Sequence, residues 1–186
     1  MSAEVVELPA TTRSRMLDTA LRLFLHYSFA GTSLQMIADE LELTKAAIYY
    51  HFRTREQLLI ALMEPILRDM AAVVGAAERK RGARARAEAM VEGYADIVTR
   101  YRALAAVTTF DPSVRTVLRN QPEWTDLIDR QIALFSATAS VEGGAVNAAV
   151  IMTGLAGAVS TARPQLDDET MRRHLVETGR RVLGLS

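Results

Sequence analysis

The chain has 186 residues, 49% of them hydrophobic, which is one to two domains by length and enough apolar surface to bury a core without cross-links. It has no cysteine, which excludes disulfide frameworks, thiolate metal sites and thiol nucleophiles and agrees with a reducing cytoplasm. Its 22 basic residues are matched by 22 acidic ones, so bulk charge supplies no affinity for nucleic acid, and any such affinity has to come from placement.

Residues 1–11, with Glu4, Glu7 and Pro9, show neither a helical nor a strand period and read as a mobile arm. They lack the basic and apolar pattern of a secretory signal. A first helix is expected over Thr12 to Tyr27, with Met16, Leu17, Ala20, Leu21 and Phe24 inward, followed by a turn over Ser28 to Thr32. Ser33 to Phe52, SLQMIADELELTKAAIYYHF, then reads as two short helices joined by a tight turn. Leu34, Ile37, Ala38 and Leu41 form one apolar stripe at i, i+3, i+4 and i+7. In the second helix Thr44 suits the N-cap, and Ile48 and Phe52, four apart, form the buried side. Lys45, Ala46, Tyr49 and Tyr50 are left to point outward. A cation, small residues and hydroxylated aromatics on a short exposed helix suit a DNA major groove.

Thr54 and Gln57 fit a capping box for a helix reaching about Glu78, with Pro65 predicting a kink near residues 61 to 65. The basic run Arg79 to Arg86 reads as a solvated loop. Helices are expected over Ala87 to Tyr101 and Ala103 to Phe110, and Asp111-Pro112 opens another through Leu118. Asn120-Gln121-Pro122 opens a helix to about residue 140, which Glu142-Gly143-Gly144 is expected to break. Ala145 to Ala162 is eighteen uncharged residues, but it is built mostly of Ala, Gly, Ser and Thr and lacks an aromatic belt. It therefore reads as a packed helix and not as a membrane span. Asp167-Asp168 starts a last amphipathic helix to about Leu183.

Catalytic signals are missing. His26, His51 and His174 stand far apart and outside any HExxH pair, and no GxSxG, P-loop or dinucleotide glycine fingerprint occurs. Neither an enzyme nor a cofactor nor a metal is implied.

The run Thr12 to Met63 closely resembles the DNA-binding domain of TetR-family transcriptional regulators. The resemblance rests on the ALxLF run at Ala20 to Phe24, FxxTS at Phe29 to Ser33, IA at Ile37-Ala38, TKxxIYYHF at Thr44 to Phe52 and RExL at Arg55 to Leu58. It implies an all-α fold, with a three-helix helix-turn-helix domain at residues 12–58 and a helical effector-binding and dimerisation domain at 59–186. Two positions depart from the family, Ser28 and Glu42, where glycine is common. Ser28 calls for a strained non-glycine or an altered helix end, and Glu42 puts the local geometry of the turn, not the motif, in question.

The resemblance also assigns contacts. Thr32, Ser33 and Thr44 offer hydroxyls and free amides to phosphate, and Lys45 reaches a base edge or a phosphate. Ala46 and Ala47 permit close approach or touch a thymine methyl. Tyr49, Tyr50 and His51 meet mostly backbone, and Arg55 pins another phosphate. In the second domain the family has a pocket for a small effector. Met63, Ile66, Met70, Tyr94, Tyr101, Phe110, Trp124 and Ile128 are the candidate lining, and their makeup implies an apolar or amphipathic ligand. The helices at about 122–140 and 145–162 resemble the family's homodimerisation pair. The function implied is a cytoplasmic dimeric repressor that a ligand releases from a pseudo-palindromic operator. Two alternatives stand beside it: a regulator that answers to a protein partner or acts as an activator, and a helical small-molecule-binding protein with a vestigial motif.

Overall fold

The computed structural model describes residues 11–139, 141–161 and 166–185, and all the regular structure among them is helical. In chain order the elements are α1 (Thr12–Gly31), α2 (Leu34–Glu40), α3 (Lys45–His51), α4 (Arg55–Glu78), α5 (Ala83–Arg100), α6 (Arg102–Phe110), α7 (Pro112–Arg119), α8 (Pro122–Ser136), α9 (Val141–Thr161) and α10 (Asp168–Val182). They form two compact units, Met1–Ala61 and Leu62–Ser186. The expected arm lies outside the described residues except for Thr11, which caps α1 by accepting a hydrogen bond from the Ser14 amide at 3.1 Å.

In the first unit the side chains of Met16, Ala20, Leu23, Phe24 and Phe29 from α1 are buried with Ile37 and Ala38 from α2 and Ile48 from α3. Phe24 and Phe29 meet edge to face, with ring centroids 5.2 Å apart. Each short helix has its own cap. The Ser33 hydroxyl accepts from the Met36 amide and the Thr44 hydroxyl from the Ala47 amide, satisfying amides that a helix start leaves free. At α4, Thr54 Oγ1 accepts from the Gln57 amide, while the Gln57 side chain accepts from the amide of Arg53, one residue before the cap that a capping box would use.

In the second unit α9 packs against α5, α6, α8 and α10, and α10 lies on α5. The Gly143–Thr161 stretch is long and apolar enough to cross a membrane by length and composition, yet here it is a packing helix of the bundle. Ion pairs tie the bundle's surface: Arg180 to Glu88 at 2.6 Å, Arg172 to Asp96, Arg102 to Asp168, and a two-pronged Arg130 pair to Glu78 at 2.7 and 2.9 Å. That last contact holds the Glu78 carboxyl below its usual range.

Two expectations need correction. The basic run is not all loop: α5 begins at Ala83, and Arg84 and Arg86 reach back to the carbonyls of Leu185 and Lys80. The break between α8 and α9 falls before Val141 instead of at Glu142-Gly143-Gly144, whose residues belong to α9. Gly144 is there for closeness, since a Cβ on it would sit 2.8 Å from Ser136 Cβ and 2.9 Å from the Ser136 carbonyl. Pro65 lies inside α4, which keeps its helical assignment from Arg55 to Glu78; the missing proline amide costs one backbone bond without ending the helix.

Candidate nucleic-acid interface and effector cavity

The helix-turn-helix consists of α2, a turn and α3, and the burial of α3 determines what it can present. Ile48 is fully buried and Phe52 nearly so, which turns Lys45, Ala46, Tyr49, Tyr50 and His51 outward, with Ala47 half-buried. Tyr50 is 86% exposed, too open for a packing role, and Tyr49 is 43% exposed. Lys45 Nζ lies 5.6 Å from the Tyr49 ring centroid, and Tyr50 meets His51 edge to face at 5.1 Å. These contacts hold long side chains in place on a seven-residue helix and reduce the ordering cost of docking.

The acids of the motif are partly engaged. Glu40 pairs with Arg22 at 2.9 Å, and Asp39 accepts from Gln35 at 2.7 Å. Glu42, exposed in the turn, has no such partner among the described residues. Among the described residues it is also one of two non-glycine residues with positive φ, at 55°; the other is Ser28, at φ 65° and ψ 165°. Both are the positions where the sequence departs from glycine. Ser28 sits in a region that is essentially glycine-only. Its own contacts offset part of the strain, because the Ser28 hydroxyl accepts from the Gly31 amide at 3.2 Å and its carbonyl accepts from the Thr32 hydroxyl at 2.8 Å.

Two assigned contacts are thereby changed in character. The Thr32 side chain is buried and its hydroxyl is committed to Ser28, so it shapes the turn and does not face solvent. Arg55 closes the C-terminal end of α1. Its Nη1 donates to the carbonyls of Phe29, Ala30 and Thr32 at 3.1, 2.7 and 2.9 Å, and the guanidinium lies 5.0 Å from the Phe29 ring centroid. A cation there complements the negative end of the helix dipole. Ser33 and Thr44 are exposed caps.

In the second unit a cavity of about 310 Å³ opens among α4, α5, α6, α7, α8 and α9. Met63, Ile66, Met70, Tyr94, Tyr101, Trp124 and Ile128 all line it. Phe110, the last residue of α6, does not; it is 59% exposed, with the tip of its ring near Gly157 of α9. Burial pushes the Tyr94 phenol up, and it donates to the Met152 carbonyl at 2.7 Å. Burial also raises Tyr101, aided by its bond to Asp69 at 2.9 Å. Reading the sequence missed the polar part of the wall: Thr108, Thr109, Thr125, Gln131, Arg115 and Arg119. The one available signal was the four-residue spacing of Arg115 and Arg119 on a helix that buries Val114 and Leu118.

The fold and its exposed second helix thus define an all-helical protein with an N-terminal helix-turn-helix. Residues 16–62 match the model of bacterial regulatory proteins of the tetR family. An uncharacterized HTH-type transcriptional regulator, YerO of Bacillus subtilis, is 40% identical over 52 residues, 28% of this chain and 18% of that protein. A probable acrEF/envCD operon repressor of Escherichia coli is 36% identical over 61 residues, 32% of this chain and 28% of that one. The chain therefore matches less than a third of the length of these curated relatives. Among solved structures, the ketosteroid transcriptional regulator KstR2 of Mycobacterium tuberculosis has the same fold, with a TM-score of 0.72 at 16% identity over 97% of both chains. SCO3833 of Streptomyces coelicolor, a TetR-family member, gives 0.72 at 19% identity over 96% of this chain and 92% of that one. Residues 16–62 are thus similar to the DNA-binding part of tetR-family regulatory proteins, and the chain as a whole shares its fold with solved regulators of that kind.

Proposed function

We propose that the protein is a dimeric transcriptional repressor that leaves a pseudo-palindromic operator when a small apolar or amphipathic molecule fills the cavity of the second unit. The observation that carries the reading is the presentation of α3. Its buried side is fixed by Ile48, and Lys45, Ala46, Tyr49 and Tyr50 are exposed together. A cation, a small residue and hydroxyls on one short helix match the major-groove edges and flanking phosphates. Ser33, Thr44 and His51 stand beside them for the backbone.

Dimerisation is supported by an exposed apolar stripe on α9, Val146 and Val150, continued by Ala149 and by Gly154, which has open space above it, with Ile132 exposed on α8. Small residues let a second helix approach closely, and a self-complementary face suits a two-fold pair. Two recognition helices then read half-sites about one helical turn apart, roughly 34–36 Å. The ligand acts by favouring a conformation in which that spacing is wrong.

Binding to labelled DNA from upstream of the chain's own coding region, followed by anisotropy in the presence of competitor DNA, tests the reading. Sequence-specific binding that weakens in Lys45→Ala supports it, with a loss of about 1–3 kcal/mol at one base pair if the lysine reads guanine and a uniform loss if it contacts phosphate. Binding that ignores sequence, or none at low salt, would leave a helical small-molecule-binding protein as the better description.

A further inference from the structure

We propose that the cavity takes an amphipathic anion: an apolar body against the methionines and aromatics, and a carboxylate or phosphate head held by Arg115 and Arg119. This rests on reading the cavity as the effector site and adds the class of its occupant. Arg115 and Arg119 both line the cavity and both are exposed, so they stand at its mouth. Four residues apart on α7, they lie on one face of the helix, with Leu118 of the same helix buried in the wall. Neither guanidinium has an ion pair or hydrogen bond among the described residues, whereas Arg100 and Arg130 of the same unit are paired with Asp69 and Glu78. Like charges at this spacing repel. An anion bridging them removes that repulsion, and the planar fork of each guanidinium fits two oxygens of a carboxylate or phosphate.

The interior adds a second feature. Gln131 is 3% exposed and lines the cavity. Its Nε2 donates to the Leu127 carbonyl at 3.1 Å, one turn back on its own helix, and its Oε1 has no donor among the described residues. That oxygen is not among the fully buried side-chain atoms left without a partner, so it is reached from the cavity and is open to a donor. A ligand whose body carries a hydroxyl or N–H group at that depth gains a bond there. At about 310 Å³ the space is at the small end of ligand sites, roughly 300–1,000 Å³, so the body is a short chain or one or two rings.

The chain's single tryptophan, Trp124, is in the cavity wall, so its fluorescence reads occupancy without DNA. The full-length protein is titrated below micellar concentrations with decanoate, decyl phosphate, decanol and decyltrimethylammonium. Saturable binding of at least one anion about tenfold tighter than decanol, with the ammonium weakest, is expected. In Arg115→Gln/Arg119→Gln that preference falls to about twofold or less while decanol binding is unchanged, and 10-hydroxydecanoate loses its advantage over decanoate in Gln131→Leu. Equal binding of anion and alcohol, tighter ammonium binding, or an anion preference that survives the double substitution would overturn the proposal. The same anion added to the operator complex separates the two readings: tight binding without release from DNA defeats the repressor mechanism alone.

Discussion

Replacing Arg55 by alanine separates two roles that one arginine can have in this family's fold. The resemblance gives it a phosphate; the structure gives it the carbonyl end of α1. Its Nη1 has two hydrogens for three carbonyls, so about two charge-assisted bonds form, one exposed at Ala30 and the rest part-buried at Phe29 and Thr32. Taking about 1.5 kcal/mol for the part-buried share and about 0.5 for the exposed one, with about 0.5–1 for the stack on Phe29, the loss is roughly 2.5–3 kcal/mol. Arg55→Lys keeps the charge but not the fork, and should lose more than half of that. Denaturant unfolding followed by far-UV circular dichroism measures the stability. Operator affinity across salt concentrations, under conditions where the variant is folded, measures the phosphate. A structural role predicts the stability loss with an unchanged log–log salt slope, whereas a phosphate contact lowers the slope by about 0.9 for each bound copy, roughly 1.8 for a pair. Wild-type stability combined with a lowered slope would refute the capping role.

Glu42→Gly should raise stability by up to about 1 kcal/mol, since relief of a left-handed glutamate, roughly 1–2, exceeds the extra chain entropy of glycine, roughly 0.5–1; a lowered denaturation midpoint would contradict this. Val150→Asp places a charge on the exposed α9 stripe and should convert the dimer to monomer in sedimentation while leaving the helical content unchanged; a dimer that persists at micromolar concentration would move the interface elsewhere. Glu78→Gln should cost less than about 1 kcal/mol at pH 7, because both partners of the Arg130 pair are well exposed. The folded carboxyl is held low, so its contribution is fully present above the unfolded value of about 4.3 and disappears as pH falls through the folded one. Wild type and variant should converge in urea unfolding as pH falls through the folded value, and a gap that widens on acidification would reverse the sign.

What the sequence made legible was local. The stripe at Leu34, Ile37 and Ala38, the cap at Thr44, the helix starts at Asp111 and Asp167, and the burial of Ile48 all follow from spacing within one or two turns, and all appear in the structure. The strain at Ser28 was one of the two outcomes that the departure from the family's glycine allowed, and the left-handed Glu42 falls in the turn whose geometry the same comparison had put in question. Non-local facts were not. Gly144 looked like a helix breaker, yet its role is set by Ser136, eight residues back across the turn. Phe110 looked like cavity lining from its apolarity, but it is exposed and lies outside the cavity wall. The reach of Arg55 across more than twenty residues to the end of α1, and the approach of Arg115 and Arg119 to a cavity built from six helices, have no counterpart in any short window.

The charge balance sets a limit on how tightly one copy can hold DNA. Among the N-terminal unit's cations, Arg22 is paired with Glu40 and Arg55 is engaged with carbonyls. That leaves Arg13, Arg15, Lys45 and Arg53, all exposed, with Arg13 resting over the Phe52 ring at 5.3 Å. Residues 1–10 contain no lysine or arginine. With four cations a copy neutralises at most about four phosphates, giving a salt slope no steeper than roughly 3.6, or roughly 7 for a pair of copies bound together. A monomer should therefore bind weakly at physiological salt, and Val150→Asp should lower operator affinity although the substitution lies outside the N-terminal unit. The slope itself is the check. A dimer value well above about 7 would mean that cations outside the N-terminal unit touch DNA, and a value near 7 that drops by half in Val150→Asp would show that the second copy supplies half of the grip.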